Sequence, residues 1–330
     1  MHTPPDVTTL LSDSALERLE LDGYVVVEDL FDPETDFAPL IGEWDDVLTG
    51  IAEGLMAEGV LGCLHEELPF DQRLIAISLE SGRTIPQPFD ISLPQKHITP
   101  ETPMHLGDAI FRLITDDRLL DVVARLIGPE VISNPVQHVR MKLPERALSS
   151  EGESSFLAGS VSWHQDLGVL TEEADAATIL SVWVPITDAT VENGCLKVIP
   201  GSHRRDLVDH CPTAGNLGIP DRLLTLEEAV PVPMRAGSAL IFGQQLIHGS
   251  LDNVTADEVR ISMDLRYQPP GQPSGRSGFP SFVARSAARP ESVLRDPGEW
   301  RRRWRESQLR LAERELPKFN RWSADSPACA

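Results

Sequence analysis

From residue 131 to residue 267 the chain is a succession of short runs rich in β-branched and aromatic residues, each closed by a turn signal: 131–143, 161–170, 178–186, 195–199, 229–234, 238–242 and 259–267. Many short strands punctuated in this way restrict the core to a β-sandwich or barrel. Asn193-Gly194 is a strong hairpin signal within the series. The first third reads differently. Ser12 or Ser14 can cap a helix over 15–21 that Asp22-Gly23 breaks, and 24–27 reads as a strand. Residues 37–56 carry Leu40, Ile41, Trp44, Val47, Leu48, Ile51 and Leu55 at helical spacing, and 109–126 reads as a helix ended by Gly128-Pro129. Residues 60–100 give mixed signals among several prolines. The Ser/Gly/Glu-rich stretch 144–160 and the Pro/Gly-rich stretch 269–281 read as mobile loops and candidate lids, and 300–316 as an Arg-rich helix laid against the domain. The fold class expected is mainly β with flanking helices. It forms one domain over 1–330: N-terminal helices and first strand over 15–130, the β core over 131–270, and a C-terminal loop and helix over 271–330.

Lys plus Arg total 29 against 51 Asp plus Glu, a net charge of -22. That argues against a nucleic-acid or anionic-membrane partner, because phosphate binding needs a basic face. The four cysteines (Cys63, Cys195, Cys211, Cys329) contain no C-x-x-C pair, which excludes a zinc ribbon or thioredoxin motif and suggests no disulfide framework. No leader-like start and no bilayer-length apolar run is visible, so the expectation is a cytoplasmic protein acting on a small molecule. Oligomeric state is not readable.

The chemistry concentrates in Trp163-His164-Gln165-Asp166. Side chains at i and i+2 of a strand share a face, so His164 and Asp166 can offer a nitrogen and an oxygen to one metal. His248 lies 84 residues on, after the apolar run 238–242. Two histidines and a carboxylate on one face of a metal form the facial triad of non-haem Fe(II) oxygenases, with other positions left open. An H-x-D triplet alone is weak evidence in a chain with nine histidines, and His65-Glu66-Glu67 is a rival that reads better as a surface turn. Arg260 stands alone in the apolar run 259–265 and wants an anionic partner, either a dicarboxylate or an internal acid such as Asp264; Arg266 is its rival on the same strand face. Trp183 places a large aromatic in a strand after the first arm of the triad. His97, His105 and His203 read as ordinary surface or turn groups, and Cys195 as a small core residue.

Taken together, W-H-Q-D, N-G-C-L-K-V-I-P-G-S-H, and H-G-S followed by an arginine resemble the phytanoyl-CoA dioxygenase family of Fe(II)/2-oxoglutarate oxygenases, as does the opening L-D-G-Y-V-V-V. The resemblance runs over roughly residues 15–270. It implies a double-stranded β-helix (jelly-roll, cupin-like) core and a reaction that consumes O2 and 2-oxoglutarate and releases succinate and CO2. By position, His164, Asp166 and His248 would hold Fe(II). Arg260 would hold the distal carboxylate of 2-oxoglutarate, helped by Ser250, with Trp183 and His138 as further cosubstrate contacts. The spacing from His248 to Arg260 is one residue longer than the family's usual, implying an extra residue in 251–258. Gln137 and Arg140 are open between substrate contact and pairing with neighbouring loops. Related halogenases lack the carboxylate that Asp166 supplies, so hydroxylation is favoured over halogenation, with desaturation, epoxidation or ring closure open. The alternative is a non-catalytic or isomerase-type cupin-like metal-binding module. The substrate, a secondary metabolite or an amino-acid or acyl derivative, is not encoded legibly.

Overall fold

The computed structural model describes residues 10–95, 97–148, 155–212, 217–314, 321–323 and 325–329. Helix α1 (Asp13–Asp22) starts where the Ser12 hydroxyl accepts from the Ala15 amide and stops at Gly23, whose φ of 85° lets the chain turn directly into β1 (Tyr24–Val27). Helices α2 (Ala38–Ala57), α3 (Phe70–Ser81), α4 (Asp108–Ile114) and α5 (Asp117–Ile127) follow. The β-region then supplies β2 (Val131–Ser133), β3 (His138–Lys142), β4 (Leu180–Pro185), β5 (Leu196–Val198), β6 (Cys211–Pro212), β7 (Leu217–Gly218), β8 (Val230–Val232), β9 (Ala239–Gly243), β10 (His248–Ser250), β11 (Arg260–Gln268) and β12 (Phe282–Arg285). Helix α6 (Pro297–Ala312) ends the series.

The large sheet runs β1-β9-β4-β11-β2-β12, with β3 also paired to β11. A small sheet runs β10-β5-β8, and every pair is antiparallel. Trp183, Leu240 and Phe242 of the large sheet share a buried cluster with Leu196, Val198 and Val232 of the small one. The two sheets therefore face each other, giving the double-stranded β-helix that the sequence led us to expect.

Strand β11 shows how sequence alternation builds this. Its odd positions, Ile261, Met263, Leu265 and Tyr267, join the core shared with α2, α4, α5 and α6. Its even positions from Arg260 to Gln268 are all polar and lie on the other face. Each apolar side chain buried on the helix side contributes about 1.5–3 kcal/mol. The strand is thus anchored firmly from behind, and its polar face has a fixed position.

Several local expectations are corrected. Helix α3 occupies part of 60–100, with Pro69 just before its first residue and Gly82 (φ 64°) just after its last. Residues 161–170 do not form a strand: His164 makes a single bridge to His248, and Asp166–Val169 is a 3-10 turn. Residues 269–281 form a loop as read, tied down at its middle, where Arg276 is buried and the Gly275 carbonyl accepts from the Thr171 amide. Of 144–160, residues 149–154 lie outside the described residues, while Ser155–Ala158 makes one helical turn. Cys211 and Cys329 form a disulfide across 118 residues, against the expectation of no disulfide framework. The C-terminal segment reaches Cys211 because Trp322 donates from Nε1 to the Gly168 carbonyl (2.6 Å) and Arg321 pairs with Asp175 (2.6 Å). Helix α6 behaves as read: Trp300, Trp304 and Leu311 are buried, and Arg302 pairs with Glu299 and Glu306 on the solvent side. Among the described residues no helix is long and apolar enough to cross a membrane.

Candidate metal centre

Position 164 is set by backbone pairing. The His164 amide donates to the His248 carbonyl (2.8 Å) and the His248 amide returns the bond (2.9 Å). The two imidazoles stand side by side, with ring centroids 4.2 Å apart. Each ring donates from Nδ1 to a backbone carbonyl two residues earlier, His164 to Ser162 (2.9 Å) and His248 to Leu246 (3.0 Å). A carbonyl only accepts, so Nδ1 carries the proton and Nε2 keeps a free lone pair in each neutral ring. Both Nε2 atoms face Asp166, at 3.7 and 4.0 Å from Oδ1. One donor atom from each residue lies within 4.8 Å of the others, and this is the one such buried His/Cys/Asp/Glu cluster among the described residues. Burial, reinforced by His164, pushes the His248 imidazolium down to about 3, which leaves the ring a neutral donor.

Asp166 is held by groups that spacing alone did not reveal. Its Oδ2 accepts from the Ser181 hydroxyl and from Arg266 Nε (3.3 Å), and Arg266 Nη2 bonds to Oδ1. Arg266 Nη1 is fixed on the Val136 carbonyl (2.6 Å). Burial on its own would raise the Asp166 pKa; the Arg266 guanidinium and the two imidazoles outweigh it and hold the carboxyl well below the usual carboxylate range. The turn carrying Asp166 is braced from behind. The Gln165 amide donates to His210 Nε2 (2.9 Å), His210 donates from Nδ1 to Val208 (2.7 Å), and the Leu167 amide bonds to the Gln244 carbonyl (2.9 Å).

A pocket is lined by all three residues of the cluster and, from the large sheet, by Ser181, Trp183, Phe242, Arg260, Asp264 and Arg266. Arg260 is buried, donates from Nε to the Gly194 carbonyl (3.2 Å) and from Nη1 to the Ser262 hydroxyl (2.7 Å), and lies 5.4 Å over the Trp183 ring. No carboxylate pairs with it among the described residues; Asp264 is taken by Arg140, whose Nε donates to Oδ2 at 2.5 Å. The Trp183 Nε1–H is buried without a partner among the described residues. The two arginines weighed against each other in the sequence thus separate, Arg266 to Asp166 and Arg260 to the pocket wall.

The other sequence candidates scatter. Arg140 lines the pocket. Gln137 does not; it is buried, donating to the Ser133 hydroxyl (3.0 Å) and the Arg266 carbonyl (3.3 Å). His138 binds the Asp90 carboxylate through Nδ1 (2.9 Å), off the pocket wall. The Ser250 hydroxyl accepts from Lys142 Nζ (2.7 Å) and from the Val161 amide (2.9 Å). His65 pairs with Glu80 (2.7 Å) in a turn far from this cluster in the sequence. Arg266 and Ser181 carried one signal, their positions on β11 and β4: they are cross-strand partners on the face opposite the apolar core.

His210 carries a pH prediction. Burial holds its imidazolium down to about 4, against an ordinary value of 6.5. The unfolded chain therefore binds a proton that the folded chain refuses. The stability is fully present above pH 6.5 and is lost as the pH falls toward 4, by about 2 kcal/mol at pH 5. Denaturant unfolding of the metal-free protein at pH 7.5 and pH 5 reads this directly. His210→Gln, which keeps an acceptor for the Gln165 amide, should remove that share of the difference and leave the share due to the similarly depressed His248.

Known proteins resemble this chain in sequence and in fold. The family model for phytanoyl-CoA dioxygenase (PhyH) matches residues 19–262. The phytanoyl-CoA dioxygenase domain-containing protein 1 of Bos taurus is 25% identical over 267 residues, covering 74% of this chain and 86% of the relative. Its Mus musculus counterpart is 29% identical over 158 residues, and there the match spans 46% of this chain and 50% of the relative. Among solved structures, the non-heme monooxygenase ThoJ, apo form, has a TM-score of 0.53 at 19% identity, covering 91% of this chain and 99% of that one. EvdO2 from Micromonospora carbonacea var. aurantiaca, complexed with 2-oxoglutarate, has a TM-score of 0.51 at 16% identity, covering 83% and 96%. These likenesses to solved structures show a shared fold.

Proposed function

Because this chain belongs to the phytanoyl-CoA dioxygenase family, we propose that it is an Fe(II)- and 2-oxoglutarate-dependent oxygenase that hydroxylates an unactivated C–H bond of a small molecule. One observation carries the reading. His164, Asp166 and His248 converge on a single point in the same pocket into which a buried arginine without a carboxylate partner, Arg260, is built. A module that only stored a metal would have no use for that arginine.

Three donors on one side are the facial set of this iron chemistry, and the neutral Nε2 atoms with one carboxylate oxygen suit Fe(II). When bound, iron and 2-oxoglutarate together supply the oxidant from O2, with succinate and CO2 released. The chain's own residues do the rest. The Ser162 and Leu246 carbonyls fix the imidazole tautomers. Ser181 and Arg266 Nε hold Asp166 Oδ2, and Oδ1, bonded to Arg266 Nη2, lies 3.7 Å from His164 Nε2. Arg260 anchors the far carboxylate of 2-oxoglutarate, and the Trp183 indole N–H offers that end of the pocket a donor. Phe242, Val161 and Leu196 supply apolar parts of the wall among the charged groups. Asp166 fills the position that related halogenases leave open, which favours hydroxylation over halogenation. The metabolite that occupies the rest of the pocket would contact Arg140.

The test is decarboxylation of 2-oxoglutarate under air. Succinate formation should require added Fe(II) and cease with a chelator, and a metabolite panel should then identify the compound that accelerates it. Equal succinate with and without iron would contradict the reading.

A further inference from the structure

Arg260 is not the sole buried basic side chain on its strand pair. Lys142 stands directly opposite it in the β3–β11 register. Both side chains are 1% exposed. Lys142 Nζ bonds to the Ser250 hydroxyl (2.7 Å) and the Leu251 carbonyl, and no carboxylate pairs with it among the described residues. Asp252, the acid that acts on it from nearby, is engaged by the Ser160 hydroxyl. Burial and the neighbouring Arg260 guanidinium push the Lys142 ammonium down to about 6, as expected of two buried basic groups side by side in a corner short of negative charge.

The hydrogen bonds at Ser250 say how that shortage is presented. A serine hydroxyl has two lone pairs and one hydrogen. The lone pairs are taken by Lys142 Nζ and by the Val161 amide. The hydrogen is left, so Ser250 acts as a donor. Ser250 lies two residues after His248 on β10, on the same strand face. One turn shapes both basic side chains: the Gly194 carbonyl takes Arg260 Nε, and a Cβ on Gly194 (φ +89°) would fall 2.6 Å from Lys142 Cδ.

We infer that Lys142 is a positioning residue for the cosubstrate: from its place opposite Arg260 it fixes Ser250 as a donor, so that the site selects a 2-oxo acid with a distal carboxylate. This rests on the function proposed above. Lys142 acts through Ser250 rather than by touching 2-oxoglutarate.

The test compares two 2-oxo acids with the same chelating end, 2-oxoglutarate and 2-oxobutyrate, which lacks the distal carboxylate. Their dissociation constants are measured anaerobically on the Fe(II)-loaded protein. Lys142→Met should weaken 2-oxoglutarate by about 10–100-fold while leaving 2-oxobutyrate and Fe(II) binding unchanged. Ser250→Ala should weaken 2-oxoglutarate in the same direction, and the double variant should lose less than the sum, because the two residues act in series. A merely structural lysine would lower the melting temperature and shift both acids equally, or neither; either result overturns the inference while leaving the oxygenase reading in place. A wild-type protein that binds no 2-oxoglutarate overturns both.

Discussion

The Asp166→Ala protein is expected to lose iron binding and all substrate oxidation. Three effects add. One of the three donors disappears from a cluster in which each supplies one atom. The Arg266 guanidinium, now without its carboxylate, stays beside two imidazoles and repels a divalent cation. Ser181 loses its acceptor. Removing a mere partner of a ligand typically costs about 10–100-fold in metal affinity, so removing the ligand itself and exposing the metal to Arg266 should cost well beyond that. The same change leaves a buried charge unpaired, worth about 3–5 kcal/mol of stability, and alanine by itself cannot separate misfolding from lost ligation. Asp166→Asn can, because it is nearly isosteric and keeps an acceptor for Ser181. Calorimetric titration with Fe(II) under anaerobic conditions should show a folded Asn protein with greatly weakened binding. Undiminished turnover in either variant would mean the three donors are misassigned.

Arg260→Met should separate the cosubstrate from the metal. The guanidinium is buried, backed by Gly194 and Ser262, and stacked over Trp183, so it is preorganised for a bidentate carboxylate. Truncating one partner of a buried charge pair costs about 2–5 kcal/mol, and about 3 kcal/mol is close to a hundredfold in affinity. The dissociation constant of 2-oxoglutarate should rise by about that factor while Fe(II) binding holds. Because Arg260 has no carboxylate partner to strand among the described residues, the variant should not lose stability. Equal 2-oxoglutarate affinity in wild type and Arg260→Met would remove the residue from the site.

The parts of this arrangement that sequence reading could reach are those written into a local pattern. The alternation Arg260-Ile261-Ser262-Met263-Asp264-Leu265-Arg266 announces a strand with one apolar and one polar face, and the structure places its polar face on the pocket. His164 and Asp166 were legible as a pair for a reason that proved locally inaccurate. They converge not because 161–170 is a strand but because His164 is pinned to His248 by two backbone bonds and the chain then coils into a 3-10 turn at Asp166. Two residues of a strand and two residues entering a turn look alike in sequence. What stayed hidden depends on the fold bringing distant segments together. Arg266 reaches Asp166 across 100 residues and Lys142 reaches Ser250 across 108. The Cys211–Cys329 link spans 118 residues with no spacing motif to mark it. Gln137 and His138 illustrate the converse: the resemblance implied a cosubstrate contact for His138 and left Gln137 open to the substrate, yet they bond to Asp90 and Ser133.

The most direct measurement is anaerobic absorption spectroscopy of the protein titrated with Fe(II) and then with 2-oxoglutarate. Chelation of the metal by the 2-oxo acid, with His164, Asp166 and His248 holding the opposite side, should produce a weak visible charge-transfer band that saturates at one equivalent of each and is missing in Asp166→Asn. A spectrum that stays featureless with both present in excess, in protein shown to be folded, would contradict it.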